Sequence, residues 1–272
     1  MSTEQHQAVA LEYEEGGIAR LTLNRPDKRN AFDASIIAGL TDTLTRLDRD
    51  PAVRVVILAA AGKHFSAGAD LNWMKDTAAM SEADNRADAL ALAGLMSTLD
   101  RLGKPTVARV QGAAFGGALG LICCCDLAIA SDQSRFCLSE VKLGLAPAAI
   151  SPYVVRAMGH RQARRFMLTA EIFDADTACA LGVVHEQVPE AQLDERINEH
   201  TQALLQGGPQ AQSACKALLQ HLDNPAFTEG VDRMTAETIA RLRTSDEGQE
   251  GLQAFFDKRA PAWRDDGGEA PV

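Results

Sequence analysis

Two glycine-marked turns and one isolated acid carry the chemistry that this sequence can do. Residues 112–120 read GAAFGGALG, with the pair Gly116-Gly117 between a strand-like segment and an apolar, helix-like one. A Gly-Gly pair that opens a helix gathers free backbone N–H groups and the positive end of the helix dipole at one point. Such a point can hold negative charge as it develops on oxygen. A second turn of the same kind, HFSAGADL at 64–71, also lies between a strand and a helix. Downstream, Glu140 stands alone in FCLSEVKLG. Two such turns and one acid point to enolate or oxyanion chemistry on a carbonyl compound. Each feature has a plainer reading as well. A Gly-Gly turn can be only a tight corner, Asp70 a helix cap, and Glu140 an exposed acid at a strand end.

These groups need a frame. GIARLTLN at 17–24 alternates apolar and polar residues and reads as a strand, followed by a loop, RPDKRNAF, at 25–32. Asp33 is placed to cap a helix running to Arg49. VRVVILAAA at 53–61 is almost continuously apolar, as expected of a strand in a sheet covered on both faces. Leu90, Leu92, Leu95, Leu99 and Leu102 stripe a helix over 82–101. Strands are expected at 106–112 and in DLAIASD and SRFCLSE, the last two joined by a turn at Asp132-Gln133. Helices follow at 151–158, 160–169 and 174–181, then a short strand at 182–188. Beyond it the pattern is helical, at 190–206, 209–221, 228–243 and 245–258, before a frayed tail, RAPAWRDDGGEAPV. The order is α/β first and all-helical afterwards, dividing the chain into a core at 1–195 and a helical region at 196–272.

Composition narrows the choice. With 46% hydrophobic and 24% charged residues, the 272-residue chain has an ordinary globular balance. A net charge of −10 argues against nucleic acid or an anionic membrane as a general partner, so an anionic ligand must find local Lys and Arg. No stretch approaches the ~20 apolar residues of a membrane span. The polar, acidic start, MSTEQHQAVALEYEEGG, reads as neither signal nor transit peptide, so a cytoplasmic location is expected. The six cysteines include the run Cys123, Cys124 and Cys125 inside an apolar segment, which reads as small core residues rather than disulfides. The scattered His residues 6, 64, 160, 185, 200 and 221 give no metal-ligand spacing. Nucleotide fingerprints fail: a G-x-G-x-x-G ending at Gly120 meets Phe115, one ending at Gly117 meets Ala114, and a P-loop starting at Gly112 meets Ala118 where Lys belongs.

The segments LTLNRPDKRNAF, FSAGADL, KPTVARVQGAAFGGALGL…CDLAIAS, FCLSEVKLGLAP and LQAFFDKRAPAW, in this order, resemble the enoyl-CoA hydratase/isomerase family, also called the crotonase superfamily. FSAGADL and the GAAFGG segment at this separation are the specific part. The resemblance implies a spiral of ββα units with a helical C-terminal region used for trimerisation, assembled as trimers or dimers of trimers. It implies a CoA thioester as substrate and no separate cofactor. The N–H groups of Ala69 and Gly117 would form an oxyanion hole, with Gly116 letting the backbone approach the ligand. Ser66, Ala67, Ala69, Asp70 and Leu71 would contact the adenine and pantetheine. Lys28, Arg29, Phe255 and Lys258 would meet the rest of CoA. Glu140 falls on one of the family's two catalytic glutamate positions.

Two departures from the family pattern matter. Hydratases of the family typically carry a second glutamate in the helix after the Gly-Gly turn, and here that position is Gly120. One acid suffices for shuttling a proton between carbons, which favours an isomerase. Also, LAPAAISP at 145–152 replaces a Pro-Gly-Gly run, which would reshape the acyl pocket. Against the isomerase stands a likeness of FSAGADLNWM, NRADALALAGLM and LSEVKLGLAPAAISPYV to bacterial hydratases of methylglutaconyl-CoA and carboxygeranoyl-CoA. Such substrates carry a distal carboxylate, for which Arg86 or Arg156 are the expected partners. Hydratase is thus the first expectation, isomerase the second, and a non-catalytic acyl-CoA-binding protein the third.

Overall fold

The computed structural model describes residues 3–6, 8–222 and 245–263. Seven strands form the main sheet. β1 (Thr3–His6), β2 (Val9–Glu14) and β3 (Ile18–Leu23) make an antiparallel meander. β4 (Val55–Ala60), β5 (Thr106–Val110), β7 (Leu127–Ser131) and β10 (Glu186–Val188) then add in parallel. β6 (Ala113–Phe115), β8 (Arg135–Cys137) and β9 (Phe173–Asp174) form a small second sheet. Two single bridges extend this sheet sideways: Ser66 pairs with Ala114, and Phe32 pairs with Ala69. Successive ββα turns therefore contribute to both sheets, which is the spiral expected from the resemblance.

All six residues of β4 are buried, as its unbroken apolar run requires. One face packs beneath helix α1 (Ala34–Arg49), whose buried stripe is Ile36, Ile37, Leu40, Leu44 and Leu47. The other face meets Leu193 and Ile197 of a helix at Leu193–Leu205. Asp33 caps α1 as expected, accepting from the Ile36 N–H at 3.0 Å. Helices α2 (Leu71–Ala79) and α3 (Glu82–Asp100) fill the connection from β4 to β5. The short buried helix α4 (Gly117–Cys124) fills that from β6 to β7. Cys124 and Cys125 lie in the core and Cys123 packs against it. Burial pushes all three thiols above their ordinary range, so they remain protonated packing groups.

The expected break between 151–158 and 160–169 is a kink at Gly159 (φ 75°, ψ 153°) inside α5 (Ser151–Thr169). α6 (Ala175–Ala180), α7 (Leu193–Leu205), α8 (Pro209–Leu222) and α9 (Asp246–Asp257) follow. The helix expected at 228–243 lies outside the described residues. α8 packs on its own chain. Lys216 reaches Asp126 at 2.6 Å and the Lys104 carbonyl at 2.9 Å. Asp126 in turn accepts from the backbone and side chain of Thr106, so it ties β5 to α8 and is structural, as expected.

Two expectations need correction. β1 and β2 were not anticipated in the polar start. In β2 the buried residues Val9, Ala10 and Leu11 are consecutive, so the alternation that announces a strand is missing. The strand expected at 182–188 is confined to Glu186–Val188, because Val183 and Val184 close a turn onto the Ala178 carbonyl. No described helix is long and apolar enough to cross a membrane.

Candidate active site

The two glycine turns come together. Ser66 donates its N–H to Ala113 and accepts from Phe115, which locks the first turn against the second. Phe32 completes the joint: its N–H donates to the Gly68 carbonyl at 2.7 Å, and its carbonyl accepts from Asp70 at 2.8 Å. A parallel bridge of this kind uses the groups on either side of Ala69 and turns Ala69's own N–H away from Phe32. Among the described residues that N–H has no acceptor. Gly117 is the first residue of α4, so its N–H also lacks an intrahelical partner. Both N–H groups belong to residues that line one cleft of ≈ 460 Å³.

Glycine is required where the turns approach each other. Gly116 sits at φ 55°, ψ −124°, and a Cβ there would lie 3.2 Å from Glu140 Oε1. Gly68, at φ 94°, lies against the Phe115 carbonyl in the same way. Glu140 opens a short 3₁₀ turn after β8, and its side chain rests over Gly116. Its Oε2 is buried without a hydrogen-bond partner among the described residues. Burial raises its pKa above the ordinary carboxyl value, only partly opposed by its own backbone N–H. A buried carboxylate with an unused oxygen thus lies where Gly68 and Gly116 approach each other, in the same cleft as the two residues with unused N–H groups that follow them. That arrangement can stabilise an enolate and move a proton beside it.

The sequence resemblance gains its decisive support here. A family profile for enoyl-CoA hydratase/isomerase matches residues 13–266. The chain belongs to the enoyl-CoA hydratase/isomerase family. An enoyl-CoA hydratase from Shewanella pealeana, solved by crystallography, is 51% identical, with 94% of this chain and 96% of that one covered and a TM-score of 0.91. The structure of Pseudomonas aeruginosa AtuE is 38% identical over 94% of this chain and 99% of its own, with a TM-score of 0.90. Among curated relatives, the hydroxycinnamoyl-CoA hydratase-lyase of Pseudomonas fluorescens is 33% identical over 266 residues, 96% of each chain. Membership makes the protein an enzyme of this family.

Of the residues that the resemblance singled out, Ala67, Ala69, Leu71, Gly116, Gly117 and Glu140 line the cleft. Ser66 and Asp70 do not. Ser66 is fully buried, and its hydroxyl accepts from the Gly68 N–H at 3.2 Å, so it shapes the turn from beneath. Asp70 caps α2; the Asn72 N–H holds its carboxylate below the usual range, with Trp73 and Lys28 assisting against burial. Lys28 pairs with Asp70 at 3.4 Å, beside the cleft rather than in it. Exposed Arg29 stands next to it and carries no ion pair among the described residues. The Phe255 side chain lies outside the described residues. Lys258 follows α9, exposed and away from the cleft lining.

Neither arginine expected at the acyl end is there. Arg86 pairs with Glu82 one turn away on the exposed side of α3. Arg156 pairs with Asp100 and lines a separate cavity of ≈ 330 Å³ at the C-terminal end of α4. Sequence reasoning also missed residues that do line the cleft: Trp73, Thr77, Asn85, Asp88 and Leu92 on one flank, and the whole run Leu145–Ile150 on the other. The departure at 145–152 had flagged the second group. Lys63 and His64, near Arg29, were likewise overlooked. Burial lowers the His64 pKa, and the charges of Lys63 and Arg29 lower it further, marking a local concentration of positive charge.

Proposed function

We propose that this enzyme hydrates α,β-unsaturated acyl-CoA thioesters with Glu140 as its single acid–base group. The carrying observation is the unpartnered, buried Oε2 of Glu140 in the same cleft as Ala69 and Gly117, whose N–H groups are unused among the described residues. The thioester oxygen accepts hydrogen bonds from Ala69 and Gly117, and the N-terminus of α4 adds its positive end. The Glu140 carboxylate takes a proton from water, whose oxygen bonds to the β-carbon. The π electrons of the double bond move onto the thioester as an enolate, and Glu140 then delivers that proton to the α-carbon. Water is consumed and the carboxylate is regenerated, so one acid balances the reaction. The basic group around Arg29, Lys28 and Lys63 is suited to the CoA phosphates.

The branched glutaconyl reading has lost its expected partners. Among the described residues no Lys, Arg or His lines the cleft. A distal carboxylate would be desolvated there against Asp88 with no counter-ion.

The test follows mass and ultraviolet absorbance with three thioesters: an unbranched 2-enoyl-CoA, 3-methylglutaconyl-CoA and a 3-enoyl-CoA. The proposal expects the first to gain one water and lose its conjugated absorbance, at a rate well above the second. Growth of conjugated absorbance from the 3-enoyl ester alone, with no change of mass, would replace it with a single-acid isomerase.

A further inference from the structure

The flank of the cleft formed by α2 and α3 is apolar except for Trp73, Thr77, Asn85 and Asp88. Each donor in that group is already used. Trp73 Nε1 donates to Asp88 Oδ1 at 3.2 Å. The Thr77 hydroxyl donates to the Met74 carbonyl at 3.1 Å. Asn85 Nδ2 faces three backbone carbonyls, of Thr77 at 2.9 Å, Ser81 at 3.2 Å and Met80 at 3.3 Å. Those carbonyls fix which end of the amide is which, because an oxygen in that place would face three oxygens. What this flank has left to offer is acceptors: Asp88 Oδ2 and Asn85 Oδ1 have no partner among the described residues.

Position along the helix places these acceptors at the far end of an acyl chain. Met96, on the same face of α3, has its sulfur 3.0 Å from where a Gly120 Cβ would stand, one turn into α4 from Gly117. Asp88 lies eight residues earlier on α3, about 12 Å along its axis at ~1.5 Å per residue. Asn85 is nearly another turn beyond. Leu92 and Ala89 cover the interval. Lys28, Arg29 and Lys63, suited to the CoA phosphates, stand outside this lining, Lys28 against Asp70 at the N-terminal end of α2.

Building on the acyl-CoA reading above, we infer that the enzyme selects acyl chains bearing a hydroxyl at their far end, with Asp88 and Asn85 accepting from it. A hydroxyl supplies the donor the flank lacks and brings no second negative charge beside Asp88, where no Lys, Arg or His lines the cleft among the described residues. A methyl terminus displaces water from the two half-buried acceptors and offers no donor in return, and a carboxylate meets them with like polarity.

The experiment compares medium-chain CoA esters that differ only in a terminal methyl, hydroxyl or carboxylate. Saturated esters are titrated by calorimetry and their 2-enoyl counterparts are assayed for hydration. The hydroxyl ester is expected to bind about tenfold tighter than the methyl ester, and the carboxylate ester weakest, as one neutral-to-charged hydrogen bond allows. Asp88→Asn keeps an oxygen for the Trp73 N–H but presents a donor to the chain, so the carboxylate ester should rise past the methyl ester. A purely structural role for Asp88 would not reorder the ligands. Equal binding of all three esters by the wild type, or an unchanged order in Asp88→Asn, overturns the inference. Selective binding of the hydroxyl ester without any hydration would keep it and sink the hydratase reading instead.

Discussion

Ile150 occupies the space that a side chain at Gly120 would need. A Cβ built on Gly120 would stand 2.8 Å from the Ile150 Cβ and closer still to its Cγ2, with the Met96 sulfur at 3.0 Å on another side. The position where family hydratases carry their second acid is therefore packed shut. Ile150 is itself buried and belongs to the run that departs from the family pattern. The single-acid site is a property of two coupled positions.

Gly120→Ala should therefore destabilise the fold by about 1–3 kcal/mol through overpacking. Ile150→Ala alone should cost about 2–4 kcal/mol by leaving a cavity. The double variant should recover part of the sum, because each change makes room for the other. Urea unfolding of the four proteins measures this coupling; strict additivity would show that the core relaxes around residue 120.

How much of this was readable from the sequence depends on how local the cause is. The β4 run and the Asp33 cap depend on neighbours in the chain, and both were read as they stand. The two turns were visible as glycine punctuation, yet the bridges Phe32 to Ala69 and Ser66 to Ala114 that fix them join residues far apart in the chain. Ser66 and Asp70 were assigned to the ligand because motif position does not reveal which way a side chain points. Arg86 and Arg156 failed for the same reason. Asn85 and Asp88 gave no signal, since a polar pair on a helix ordinarily means a solvated face.

Replacing Glu140 with glutamine should lower kcat by about 10²–10⁴-fold, the span of a lost acid–base group, while CoA-ester affinity changes little. The same change should stabilise the enzyme at neutral pH. The pKa of Glu140 is raised by burial, so the folded state holds its proton more tightly than the unfolded chain does. Stability from this group is present at low pH and is lost as pH rises through the raised value. Melting curves across pH should show the wild type coinciding with Glu140→Gln below the usual carboxyl range and dropping beneath it as pH rises through the raised value.

Gly117→Pro isolates one N–H. Proline is tolerated at the first position of a helix, and a Cβ at residue 117 would meet Phe32 at an ordinary 3.5 Å. Gly117→Ala keeps the N–H and controls for the added carbon. The proline variant should lose about 10²–10³-fold in kcat relative to the alanine variant, with circular dichroism unchanged. Equal rates in the two would remove Gly117 from the oxyanion site.

His64 reports on the phosphate side. Its Nδ1 accepts from the Ala113 N–H at 3.1 Å, which fixes the second turn and requires the neutral ring. Burial, then Lys63 and Arg29, hold its pKa below the ordinary value, so stability from this group is present at neutral pH and lost as pH falls below that value. Free CoA, bringing phosphates to Lys63 and Arg29, should raise the His64 pKa in an NMR titration. Arg29→Ala should raise it without ligand and weaken the response to CoA. No movement on adding CoA would place the phosphates elsewhere.

Arg25 couples the N-terminal caps of α1 and α2. Its guanidinium pairs with Asp33, the cap of α1, and with Asp70, the cap of α2, at 3.0 Å for the latter. Burial alone would raise the Asp33 carboxyl, but hydrogen bonds from Ser35, Arg25 and the Ile36 N–H outweigh it and bring the pKa to about 2. Stability from this group is present above the unfolded carboxyl value and is lost as pH falls from there toward about 2. Arg25→Leu leaves two neighbouring carboxylates without their shared cation, at a cost of about 3 kcal/mol near neutrality. Because the lost contribution is one that acid removes anyway, the gap between variant and wild type should narrow as pH drops through that window. Thermal melts between neutral pH and about 2 check this. A gap that stays constant would assign the loss to packing of the arginine stem instead.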